Sequence, residues 1–143
     1  MSKAQERTRE AIELLRAWQG LEREAIGTTA EIMESTDNLL IRQIMEIIRN
    51  DSVQHHRVQQ FLIDTMTREP VRMSPGDMAE VWTRLEEHDK LERRTIEMAK
   101  ELKEKTTDVI AKVLLEYLIL DEQKHDTLLQ QLEAVKRHLS KLA

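Results

Sequence analysis

The chain has 143 residues, 34% of them charged with both signs mixed, and a net charge of -5. That length suits one domain, 1–143, with room for a core, and the acidic balance argues against a nucleic-acid partner, which selects a basic face. Cysteine is absent, which excludes disulfides, thiolate zinc sites and iron–sulfur clusters.

Three glycines and two prolines leave little turn material for a sheet, while Leu, Glu, Lys, Arg and Met favour helix. The composition therefore predicts an all-α chain. No apolar run reaches the length of a membrane span, and the start lacks the apolar core of a signal peptide. A cytoplasmic location and no membrane partner are the expectation.

A first helix is predicted over 4–35. Its inward stripe steps by three and four through Ala11, Leu15, Trp18, Glu22, Ala25, Thr29 and Ile32. Leu14, Leu21 and Met33 widen it. Gly20 and Gly27 each cost about 1 kcal/mol against alanine inside a helix, which points to close approach of another helix or to a local bend. Residues 35–38 are N-capping types and mark a tight turn. A second helix follows to about residue 68, with Leu40, Ile44, Ile48, then Asp51 or Ser52, His55, Val58 and Leu62 inward. Pro70 stops it.

Ser74 as N-cap and Pro75 at the first helical position open a third helix, which runs to about residue 105. Its stripe is Val81, Leu85, His88, Glu92, Thr95, Ala99 and Leu102. After a turn at 106–108, a fourth helix carries Ile110, Leu114, Leu118, then Asp121 or Glu122, His125, Leu128, Leu132 and Val135.

These elements repeat at an offset of 70. Asp51 and His55 return as Asp121 and His125, Leu21-Glu22-Arg23 as Leu91-Glu92-Arg93, and Thr36 as Thr106. Two copies of a helical hairpin, each with a polar break in mid-stripe, predict a four-helix bundle. Glu22 and Ser52 each lie about fifteen residues from their turn, or about 22 Å at 1.5 Å per residue, and Glu92 and Glu122 are placed alike. Glu22, His55, Glu92, Glu122 and His125 can therefore form one layer. Residues three and four apart share a helix face, so Glu122 and His125 point the same way. Buried carboxylates cost several kcal/mol unless paired or bound to a metal. Carboxylate with imidazole suits iron, manganese or zinc. Asp51 and Asp121 are placed to accept the second ring N–H of each histidine. His88, where the repeat has Trp18, is expected as a core residue near the layer that could also supply the donor Ser52 lacks.

With one Glu on each of two helices and Glu122-x-x-His125 on another, the layout resembles the ferritin-like di-iron carboxylate proteins, rubrerythrins included. The resemblance covers essentially the whole chain. It implies Glu22 and Glu92 as the single glutamates, Glu122 and His125 as a complete pair, and His55 as the histidine of a second pair whose glutamate is Ser52. It implies iron, one or two per chain, and Fe(II) oxidation or chemistry with oxygen or peroxide. The connection between the second and third helices is too short to cross a bundle's length, so either the bundle runs up-down-up-down or two chains exchange hairpins as a homodimer. The rival reading is a metal-free bundle acting as a structural or protein-interaction module.

Overall fold

The computed structural model describes residues 1–142, with side chains through His138. Four helices make up almost all of it: α1 (Lys3–Ser35), α2 (Leu39–Thr67), α3 (Pro75–Lys105) and α4 (Val109–Leu142). No strand occurs among the described residues. The chain divides into two compact units, Met1–Val71 and Arg72–Ala143, and the division falls at the boundary of the sequence repeat. Each unit is one hairpin, α1 packed on α2 and α3 packed on α4. Two packed helix pairs of this kind are consistent with a four-helix bundle.

Local chemistry sets the helix ends. Ser2 caps α1 in a reciprocal box with Gln5, and Ser74 caps α3 in the same way with Asp77, with Pro75 just inside. The Ser74 backbone and hydroxyl bonds hold the Asp77 carboxyl below the usual carboxylate range. The two turns share one design. Thr36 Oγ1 accepts from Asn38 N at 3.1 Å, and Thr106 Oγ1 accepts from Asp108 N at 3.3 Å. Asn38 Oδ1 then accepts from Ile41 N, and Asp108 Oδ1 from Ile110 N.

In the first hairpin the buried seam is Leu15, Gln19, Glu22 and Thr29 against Ser52, Gln59 and Ile63. In the second it includes Met78, Glu92, Leu115 and Ile119. This seam keeps Leu15, Glu22, Thr29, Ser52 and Glu92 of the stripe expected from sequence but not its other members. Trp18 and Ile32 are 52% and 42% exposed, and Ile48, Val58, Leu62, Leu102, Leu118, Leu128 and Val135 are exposed as well. The reason is angular. At about 100° per residue, positions 15, 19, 22 and 29 share one direction, while 18, 25 and 32 lie about 60–100° to one side of it. The first hairpin therefore has a polar-rich seam between its helices and a more apolar face beside it.

The glycines answer another expectation. A Cβ at Gly27 meets nothing within 4 Å among the described residues, and one at Gly20 meets only the Arg23 side chain at 3.8 Å, so the partner helix of the hairpin does not approach closely at either.

Candidate metal centre

The second hairpin brings three expected residues together. Ligand atoms of Glu92, Glu122 and His125 all lie within 4.8 Å of one another. Glu122 and His125 share a face of α4 because they are three residues apart. Glu92 reaches them from α3 because the hairpin register sets position 92 against 125. Glu92 is the most enclosed of the three at 8% exposure. Its Oε1 lies 2.9 Å from His125 Nδ1 and 2.9 Å from His88 Nε2. Its Oε2 is buried with no hydrogen-bond partner. Leaving a buried acceptor unpaired costs about 1–3 kcal/mol. Glu122 Oε2 stands 3.8 Å from the same His125 nitrogen.

The other ring nitrogen of His125, Nε2, faces Asp121 Oδ2 at 3.6 Å, beyond hydrogen-bond length. Asp121 is held instead by Lys124 at 2.7 Å. Nδ1 thus turns toward the carboxylates and Nε2 toward an acidic neighbour, the division of roles seen in histidine ligands. His88 is not the core residue expected. Its side chain is 59% exposed, and it reaches Glu92 from one turn earlier on α3.

The first hairpin places Glu22 and His55 together more loosely. Glu22 Oε1 is 3.4 Å from His55 Nδ1 and accepts from Gln59 Nε2, also at 3.4 Å. Ser52 is buried at the position matching Glu122. Among the described residues no hydrogen bond or ion pair links Asp51 to His55. His56 is half-buried and meets Arg23 Nη1 at 3.1 Å.

Sequence reasoning missed a second acidic pair. Asp89, one turn before Glu92, and Asp126, next to His125, face each other across the hairpin. Arg93 Nη2 lies 3.0 Å from Asp89 Oδ2 and 3.7 Å from Asp126 Oδ1. An Oδ1 of each aspartate is buried without a donor. The Asp89 carboxyl is pushed above the usual range, first by its hydrogen bond with Asp126, then by burial and by the Asp126 charge, with Arg93 opposing. When protonated, Asp89 supplies the pair with a donor. The pair borders a cavity of about 80 Å³ lined by Trp82, Leu85, Leu129 and Glu133. Its signal was the spacing of Asp89 three residues before Glu92. The repeat concealed it, because Gln19 and His56 stand at the matching places.

Two carboxylates and one imidazole form a donor set for iron, manganese or zinc, and three protein ligands leave positions open for water or substrate. Comparison with known proteins found no family model, no curated protein and no solved structure that matches the chain. No described helix is long and apolar enough to cross a membrane.

Proposed function

We propose that the second hairpin binds a divalent transition-metal ion through Glu92, Glu122 and His125, and that the chain is a non-haem metal carboxylate protein of ferritin-like, rubrerythrin-related type. Iron is the ion we favour, with manganese or zinc as alternatives, and Fe(II) oxidation or chemistry with oxygen or peroxide is the activity. The observation that carries this reading is Glu92. It is buried to 8% exposure, keeps one oxygen without a donor, and sits among other donors within 4.8 Å. A cation removes the cost of that oxygen and of the neighbouring Glu122 charge.

When bound, a redox-active ion supplies electron exchange with oxygen or peroxide. The chain's own residues set the conditions. Glu92 and Glu122 provide anionic oxygens that favour the higher charge. His125 gives a neutral nitrogen, and its 40% exposed side chain leaves a route for small molecules. In the first hairpin, Ser52 and the Gln59 amide leave a weaker set at Glu22 and His55.

The test is anaerobic Fe(II) titration with elemental analysis. About one ion per chain is expected, lost in His125→Ala. Chelation of the loaded protein lowers Tm, because a ligand of the folded state alone stabilises it by about 2.7 kcal/mol at a hundred times Kd. Air admitted to the Fe(II) form should bring ferric absorbance. No bound metal under any condition sinks this reading. It then leaves the interaction module, which the exposed Trp18, Leu62, Leu118 and Leu128 favour.

A further inference from the structure

We propose that His88 is a fourth ligand of the ion held by Glu92, Glu122 and His125, so that the second hairpin by itself builds a two-imidazole, two-carboxylate site for one zinc-, iron- or manganese-class ion. This rests on the metal-binding reading above and specifies its ligand count.

Three observations carry it. First, His88 Nε2 and His125 Nδ1 reach the same oxygen, Glu92 Oε1, each at 2.9 Å and from different helices. Both imidazoles thus reach one carboxylate whose other oxygen is buried without a donor, while His88 stands outside the three-residue group whose ligand atoms lie within 4.8 Å of one another. Second, His88 is mostly exposed, at 59% of its side chain. It can turn about its own χ angles without opening the seam. Third, His88 and Glu122 depart from the repeat together. The first hairpin has Trp18 and Ser52 there, so it lacks both an imidazole and a carboxylate that the second possesses. Four donors of nitrogen and oxygen type satisfy a four-coordinate ion, whereas three leave it dependent on water or on another hairpin.

A positioning role is the competing account: His88 donates to Glu92 and never touches an ion. Zinc-loaded protein separates the two. X-ray absorption counts imidazoles through their outer-shell scattering, and competition with a chelator gives the affinity. The expected result is two imidazoles in the native chain, one in His88→Ala, and zinc affinity at least about tenfold weaker in that variant. His88→Gln keeps a hydrogen-bond donor, so a ligand role predicts no rescue by it. His138→Ala, at an exposed histidine outside the site, should leave the count at two. Because His88 is exposed, these variants should keep native helicity by circular dichroism.

One imidazole in the native chain overturns the proposal. So does a count of two that persists in His88→Ala, or full recovery of affinity by His88→Gln. In each of those cases zinc binding that depends on His125 leaves the metal-binding reading standing. Absence of any bound metal overturns both.

Discussion

The two hairpins answer the same problem, a glutamate buried in a helix–helix seam, in different ways. Glu22 and Glu92 are each 8% exposed and stand 70 positions apart. Around Glu22 the seam is filled with amides. Gln59 donates to it, and Gln19 donates to Gln60 Oε1 at 3.0 Å and to the His56 carbonyl at 3.4 Å. Around Glu92 stand two imidazoles, Glu122 and the Asp89–Asp126 pair, with three buried carboxylate oxygens lacking donors. One hairpin has largely neutralised its polar layer. The other keeps acids concentrated, an arrangement that is costly unless something positive joins it. The lesson is that a duplicated frame fixes where a buried carboxylate sits, while its neighbours decide whether it is a structural or a ligand-binding group.

Four changes break or sharpen that contrast. The largest effect is expected from Glu92→Gln against Glu22→Gln. The first should weaken metal affinity about a hundredfold or more in an Fe(II) or zinc titration, since it removes an anionic ligand. The second should leave affinity within about threefold, because Glu22 lies in the hairpin that lacks the second carboxylate. Equal losses would place both glutamates on one ion.

Next comes the core. Ile63 is 1% exposed, but its counterpart Glu133 is half-buried. Ile63→Ala should cost about 2–5 kcal/mol in denaturant unfolding. Glu133→Ala should change stability by about 0.5 kcal/mol or less. Two distinct unfolding transitions, with only one moved by Ile63→Ala, would show the hairpins melting separately.

Ser52→Glu restores the carboxylate that the first hairpin lacks. Metal content is expected to rise from about one to about two ions per chain, measured by elemental analysis. Unchanged content counts against position 52 as a ligand place.

The smallest effect concerns pH. Asp89 holds its proton above the ordinary carboxyl value of 3.8. The folded state therefore binds that proton more tightly than the unfolded chain does. Its contribution is fully present below the ordinary value and is lost as pH rises through the raised one. Asp89→Asn gives Asp126 a permanent N–H donor. Its Tm should exceed that of the native chain near neutral pH by a few degrees, for about 1 kcal/mol. The advantage should vanish in acid. A variant less stable at pH 7 would contradict the account of a proton held more tightly on Asp89.

Several features were legible in the residues alone. Helix number and caps followed from Ser74-Pro75, from the Thr36–Asn38 and Thr106–Asp108 turns, and from the repeat. The Glu92, Glu122 and His125 cluster followed from helical spacing and hairpin register. The seam was read correctly at Leu15, Glu22, Thr29, Ser52 and Glu92 and was drawn to one side elsewhere. The most apolar positions, Trp18 and Ile32, drew the stripe toward themselves, while Gln19 and Gln59 are buried because each finds a partner across the hairpin. A buried amide is identified by its partner, and a partner from another helix is invisible to periodicity.

The sequence by itself determined the helices, their ends, the pairing into two hairpins and the height of the two glutamates. Those depend on local capping chemistry and on 3.6-residue periodicity, both encoded within a few residues. Only the tertiary structure decided which face became the seam, that His88 and His125 share one Glu92 oxygen, and that Asp89 meets Asp126. Each depends on the rotation of one helix against another, and a turn of about 60° exchanges a buried neighbour for an exposed one.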